Sequence, residues 1–244
     1  MVVLAAAVVP HPPLLVPDLA AGAAGVVVPL LAACDAVVAG LLARSPRTVV
    51  LIGSGRQTGA HPDRDTGTLA GFGGRPGSRP AESGGVVQVE RPALPLSLTI
   101  GRWLLERAGW DGPDGSVRLH EVTADRPVED CVRFGRRLDA ETGPDSVWLA
   151  LGDGSNRRGP RSPGHDDPRA AGFDAAVVRA FATGDPAALL ALDPQLAAEL
   201  GAAGRSVWQV LAAAAGGWPA IEAGVHYDAA PFGVQYLVAD WRRW

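Results

Sequence analysis

The chain opens on a continuous apolar run, Val2 to Val9, that stops at Pro10-His11-Pro12-Pro13. A run of this length bounded by prolines predicts a strand buried on both faces. The prolines admit neither helix nor strand ladder, so the chain turns at the strand's carboxyl end. A loose segment follows to Gly25. Leu30, Cys34, Val37 and Leu41 then recur at helical spacing, with Leu31, Val38 and Leu42 beside them. This predicts a helix over 28–43 with Pro29 in its first turn. Residues 48–52 are apolar and β-branched, a second strand. Strand, helix and strand in that order imply parallel pairing through a right-handed crossover.

The same periodicities predict helices over 97–108, 127–140, 169–182, 186–192, 194–200 and 204–215, and strands over 117–122 and 146–151. Between them, 61–85 is rich in Gly, Arg, Asp, Ser and Pro and forms a long, lid-like loop insertion, with short strands at 69–72 and 86–89. At the end of the chain Ile221, Ala223, Val225 and Tyr227 alternate with Glu222, Gly224, His226 and Asp228. That period of two leads through Asp228-Ala229-Ala230-Pro231 into a partner strand over 232–240. Parallel units with an appended hairpin make an α/β fold with a mixed central sheet flanked by helices. Neither an internal repeat nor a shift in composition divides the chain, so 1–244 is one domain.

Composition narrows the chemistry. All 22 basic residues are arginine, which excludes a Walker-type phosphate loop and a Schiff-base mechanism, both of which need lysine. The net charge of −4 argues against a nucleic-acid surface. Cys34 and Cys131 fall in amphipathic helices and read as reduced core residues, not as a disulfide or zinc framework. The apolar opening is too short for a membrane span and lacks a basic flank. The expectation is a soluble cytoplasmic protein that engages neither nucleic acid nor membrane.

Candidate chemistry collects where strands end, because ligands of open α/β sheets bind beyond the carboxyl ends. His11 stands there on a proline-stiffened loop, either as a ligand or as an ordinary loop residue. The second strand ends in Gly53-Ser54-Gly55-Arg56-Gln57-Thr58-Gly59, where Thr58 replaces the third glycine of a dinucleotide fingerprint. The later strand ends in Gly152-Asp153-Gly154-Ser155-Asn156-Arg157-Arg158. Either turn is a tight connection or a nest of amides for an anion, with Arg56, Arg157 and Arg158 as partners. His61-Pro62-Asp63 and His165-Asp166-Asp167 lie on loops near the same strand ends. His226 shares a strand face with Glu222 and Asp228, and His120 carries no signal.

Three stretches together resemble the LigB family, the catalytic-subunit type of class III extradiol dioxygenases, with the Memo proteins as relatives. They are Val9-Pro10-His11-Pro12-Pro13-Leu14-Leu15; Leu151-Gly152-Asp153-Gly154-Ser155-Asn156-Arg157 with the helix bearing Phe173-Asp174; and Ala203-Gly204-Arg205-Ser206-Val207-Trp208 followed by Tyr227-Asp228-Ala229-Ala230-Pro231-Phe232-Gly233. The resemblance implies a LigB-like α/β domain and ring cleavage of a catecholic substrate by O2 at non-haem Fe(II) held by two His and one carboxylate. A homodimer or a second subunit is part of that expectation.

Carried over residue by residue, His11 matches the first ligand. The second His lies directly after strand two in the family; here Ser54, Gly55 and Arg56 stand there, and His61 follows a few residues later. Glu199 is the nearest candidate carboxylate to the third ligand region, where Ala203 replaces the Cys of Memo proteins. Asn156 replaces the acid/base His, and an amide exchanges no proton near neutral pH. The metal candidates are therefore His11, His61 and Glu199, and the catalytic candidates Asp153, Asn156 and His165. The cofactor is Fe(II) or another divalent metal if the site is active, or none. With several positions altered, the expectation is changed or lost ring cleavage. The alternatives are a non-catalytic ligand- or partner-binding domain and an anion-binding protein or hydrolase.

Overall fold

The computed structural model describes residues 3–72, 94–143 and 145–244. Strands β1 (Val3–Val9), β2 (Thr48–Gly55), β3 (Gly59–His61), β4 (Val117–Thr123), β5 (Ser146–Leu151), β6 (Ile221–Ala229) and β7 (Tyr236–Arg243) join in the order β3-β4-β2-β5-β1-β7-β6. The four central strands are parallel. β3 closes one side and the β7–β6 hairpin the other, all antiparallel. The protein is thus α/β with a mixed sheet flanked by helices.

The continuous apolar strands follow from burial on both faces. Ala6 and Val8 of β1, Val50 and Ile52 of β2, and Trp148 and Ala150 of β5 face one helical layer. That layer holds α4 (Val128–Thr142), α5 (Ala170–Ala182), α6 (Pro186–Leu190), α7 (Pro194–Glu199) and α8 (Arg205–Ala215). The alternate residues Ala7, Val9, Val49, Leu51, Val147 and Leu149 face α2 (Ala24–Leu42) and α3 (Leu96–Arg107). Every residue of α8 is buried. It packs against α4 at Gly135, where a Cβ would meet the Val210 carbonyl oxygen at 2.2 Å. Residues 25–42 of α2 are long and apolar enough to cross a bilayer by length and composition, yet Leu30, Cys34, Val38 and Leu41 are buried on the sheet. Cys34 and Cys131 are both free, buried thiols.

Several details differ from the pattern-based expectation. α2 begins at Ala24, so Pro29 lies inside it and not in the first turn. A short α1 (Pro17–Ala20) and two 3-10 turns occupy the segment expected to be loose. Residues 69–72 hold a 3-10 turn, Ala70–Phe72, in place of a strand; the strand expected at 86–89 and most of the lid-like insertion lie outside the described residues. β3 was expected as loop, because three residues carry no readable period. β7 starts at Tyr236, four residues late, because Gly233 takes a positive φ of 75° and holds 230–233 in a turn.

The register places the site. Val9, Leu151, Gly53, Glu121 and Gly59 form one row across β1, β5, β2, β4 and β3. His11 and Asp153 stand two residues beyond that row, and Ser54 one residue beyond it.

Candidate functional site

His11, Asp153 and Ser54 meet above three neighbouring strand ends. The His11 amide donates to Asp153 Oδ1 at 2.9 Å. The same oxygen lies 3.5 Å from His11 Nδ1, and Ser54 Oγ lies 3.4 Å from His11 Nε2. The side chains of His11 and Asp153 are 11% and 19% exposed, so the group opens narrowly to solvent. Each member is held by its surroundings. Prolines flank His11 and fix its backbone. The Asp153 turn is pinned by Gly204 N donating to the Asp153 carbonyl and by Gly154 N donating to the Gln235 carbonyl. Ser97 Oγ donates to the Ser54 carbonyl at 2.6 Å and fills the space a Gly53 Cβ would take. Burial and the Asp153 carboxylate together push the Tyr236 hydroxyl upward in pKa, and burial with Asp35 and Asp153 does the same to the Cys34 thiol.

A second polar group flanks the first. Glu121 rises from β4 into the space a Gly55 Cβ would occupy. Its Oε2 lies 2.8 Å from His61 Nε2, and its Oε1 accepts from the amides of Arg56 and Gln57. The His61 and Glu121 side chains are 7% and 5% exposed. The amides read as a nest in the Gly53–Gly59 turn are therefore occupied by the protein's own Glu121 carboxyl group. The second Gly-rich turn behaves alike. Buried Asp174 on α5 accepts from Ser155 N at 2.9 Å, Ser155 Oγ at 2.6 Å and Arg158 Nη1 at 3.1 Å. Both turns are braced internally, which leaves their amides to structure.

The remaining candidates do not join His11. His61 is committed to Glu121. Glu199 is on α7, bound to Arg169 at 2.7 Å and to Gln195 at 3.0 Å. Asn156 is wedged against Gly164 and Gly201, and its Oδ1 is buried without a partner. His165 sits exposed on a turn with φ 63°. Of the loop carboxylates beside it, Asp166 accepts from Gly159 N, while Asp167 pairs with Arg169. Asp153 alone of the expected catalytic residues meets His11. His226 pairs with Asp240 at 2.6 Å beside the β6–β7 register shift.

Sequence reasoning passed over Ser54 and Glu121 as site residues. The signal for Ser54 was the glycine on either side at a strand end. The signal for Glu121 was a carboxylate inside an apolar strand, which requires a buried partner.

The family's iron needs two His and one carboxylate. Beside His11 stand one carboxylate, Asp153, and at its Nε2 a hydroxyl, Ser54. Among the described residues no group of three His, Cys, Asp or Glu gathers close enough to hold an ion. The donor set does not fit that iron centre. Two open clefts of about 710 and 510 Å³ lie at the opposite, amino ends of the strands around Trp110. Their lining holds no His or Cys.

No family model matches the chain, and no curated protein matches it. Among solved structures it is similar to one described as the crystal structure of uncharacterized protein JW3007 from Escherichia coli K12. The identity is 15% over 98% of this chain and 99% of that one, with a TM-score of 0.49. That likeness is too distant to bear on function.

Proposed function

We propose that the chain is a divergent relative of the LigB-like dioxygenases that keeps the carboxyl-edge site for a small molecule and works there without the ring-cleaving iron. The observation that carries this reading is Ser54 Oγ at 3.4 Å from His11 Nε2. In the family the second imidazole comes from the end of strand two; here Ser54 at that strand end carries a hydroxyl, which suits a proton relay better than ligation of Fe(II). Asp153 Oδ1 lies 3.5 Å from Nδ1 on the other side of the ring, so His11 is placed to take or give a proton at Nε2. Asn156, half-buried against Gly201, supplies no second acid or base. We place the protein in the cytoplasm, where its two free thiols stay reduced. The test is oxygen uptake by protein loaded anaerobically with Fe(II) and supplied with catechols. The expected result is no uptake above that of free Fe(II). Catechol-dependent uptake lost in His11→Ala would overturn the reading.

A further inference from the structure

We propose that Ser54, His11 and Asp153 form a nucleophilic relay that transfers the acyl group of a small, uncharged ester to Ser54 and then to water. The inference rests on the reading of a metal-free His11 site and gives that site its reaction.

The order of contacts is the first support. Ser54 Oγ faces His11 Nε2, and Asp153 Oδ1 faces His11 Nδ1, at 3.4 and 3.5 Å. A hydroxyl at one ring nitrogen and a carboxylate at the other is the arrangement that activates a serine: the carboxylate sets the Nδ1–H tautomer, which leaves Nε2 as acceptor for the hydroxyl proton. Both separations exceed a tight hydrogen bond, as is common for such groups before substrate binds. His11 Nδ1 is buried and has no hydrogen-bond partner of good geometry. A nine-tenths buried imidazole with an open nitrogen gains nothing for stability. Closing the 3.5 Å gap to Asp153, as charge develops on the ring, satisfies it.

The second support is how Ser54 is held. Ser97 fills the space beside Gly53, and Glu121 fills the space beside Gly55. Both neighbours of Ser54 lack side chains because polar plugs occupy those places, so the serine is the single side chain the strand end presents. Its backbone carbonyl is tied to Ser97 Oγ, which keeps the strand end from moving as Oγ reacts. The segments bearing His11 and Asp153 are flanked by half-buried Leu14, Phe232 and Val234. With a carboxylate inside and apolar residues around it, the site favours an uncharged acyl group over an anion.

The steps balance without a cofactor. Ser54 Oγ bonds to the carbonyl carbon as its proton passes to His11 Nε2. The carbon–oxygen bond to the leaving alcohol breaks as that proton moves to the departing oxygen. Water then attacks the acyl-serine, gives a proton to His11 Nε2, and the proton returns to Ser54 as the carboxylic acid leaves. Asp153 is the positioning residue throughout.

The test treats the intact protein with a fluorophosphonate, maps the adduct by peptide mass spectrometry, and follows p-nitrophenyl acetate hydrolysis. One adduct on the Ser54 peptide is expected. It should be absent in Ser54→Ala and in His11→Gln, with hydrolysis falling by about 10²–10⁴-fold in each. Asp153→Asn should lower kcat with little change in KM, since it acts through His11 and not on substrate. Circular dichroism and melting establish that each variant is folded. An inert wild-type protein, or an adduct that persists in Ser54→Ala, overturns the relay while leaving the metal-free reading standing. Catechol-dependent oxygen uptake at His11 overturns both.

Discussion

Replacing Glu121 with alanine strands everything that Glu121 holds. The His61 ring nitrogen and the amides of Arg56 and Gln57 lose their acceptor in a site where both side chains of the pair are under one-tenth exposed. Each buried group left unpaired costs about 1–3 kcal/mol, and the void left by the side chain adds to the sum. Two effects reduce it. Water can enter the space the carboxylate leaves beside His61, and water reaches the exposed Arg56–Gln57 turn. The net loss is about 2–4 kcal/mol, overlapping the lower part of the roughly 3–5 kcal/mol for removing one partner of a buried pair. For a chain of this length that is a fall in Tm of roughly 4–16 °C. Glu121→Gln keeps the acceptor for the two amides and should lose less than half as much. Gly55→Ala reaches the same contacts from the other side, because its Cβ would lie 2.0 Å from Glu121 Oε1. Thermal and urea denaturation of the three variants check the order Ala at 121, Ala at 55, then Gln at 121. A Tm for Glu121→Ala within about 2 °C of wild type would refute the claim that this pair braces the strand ends.

Asp174→Ala removes the buried acceptor of Ser155 and Arg158 and should cost about 3–5 kcal/mol in urea denaturation. Gly135→Ala drives a methyl into the Val210 carbonyl and should cost about 1–3 kcal/mol by separating α4 from α8. Burial first, then Arg118, Arg137 and His61, push His120 down from 6.5 to about 4. Its unfolded form therefore binds a proton more readily than the folded form. The stability from its neutral state is present above pH 6.5 and is lost as pH falls towards 4. His120→Phe should flatten that part of the stability profile; an unchanged slope would show that other groups set it.

How much of this was legible in the sequence depended on period and length. Long apolar runs and helical stripes gave β1, β2, β5, α2 and α8, because burial on two faces leaves little choice of residue. The three-residue β3 was invisible, since so short a strand is made by pairing with β4 and not by its own pattern. His11 and Asp153 could each be placed at a strand end from the sequence, since prolines and glycines mark where strands stop; that they meet is seen only in the fold. Glu199 was grouped with His11 by its closeness in sequence to Gly204, but the turn at Gly201 carries α7 and its Arg169 pair elsewhere. The two amide-rich turns looked like sites for an external anion. Sequence alone does not reveal that Glu121 and Asp174, each distant along the chain, fold back to fill them.

The central claim is that His11 faces Ser54 and Asp153 and not a metal ion. The most direct measurement is elemental analysis of protein purified without chelator or affinity metal, and again after anaerobic Fe(II) loading, for wild type and His11→Ala. The account predicts the same trace metal content in both proteins. Near-stoichiometric iron, zinc or manganese in wild type that is lost in His11→Ala would contradict it.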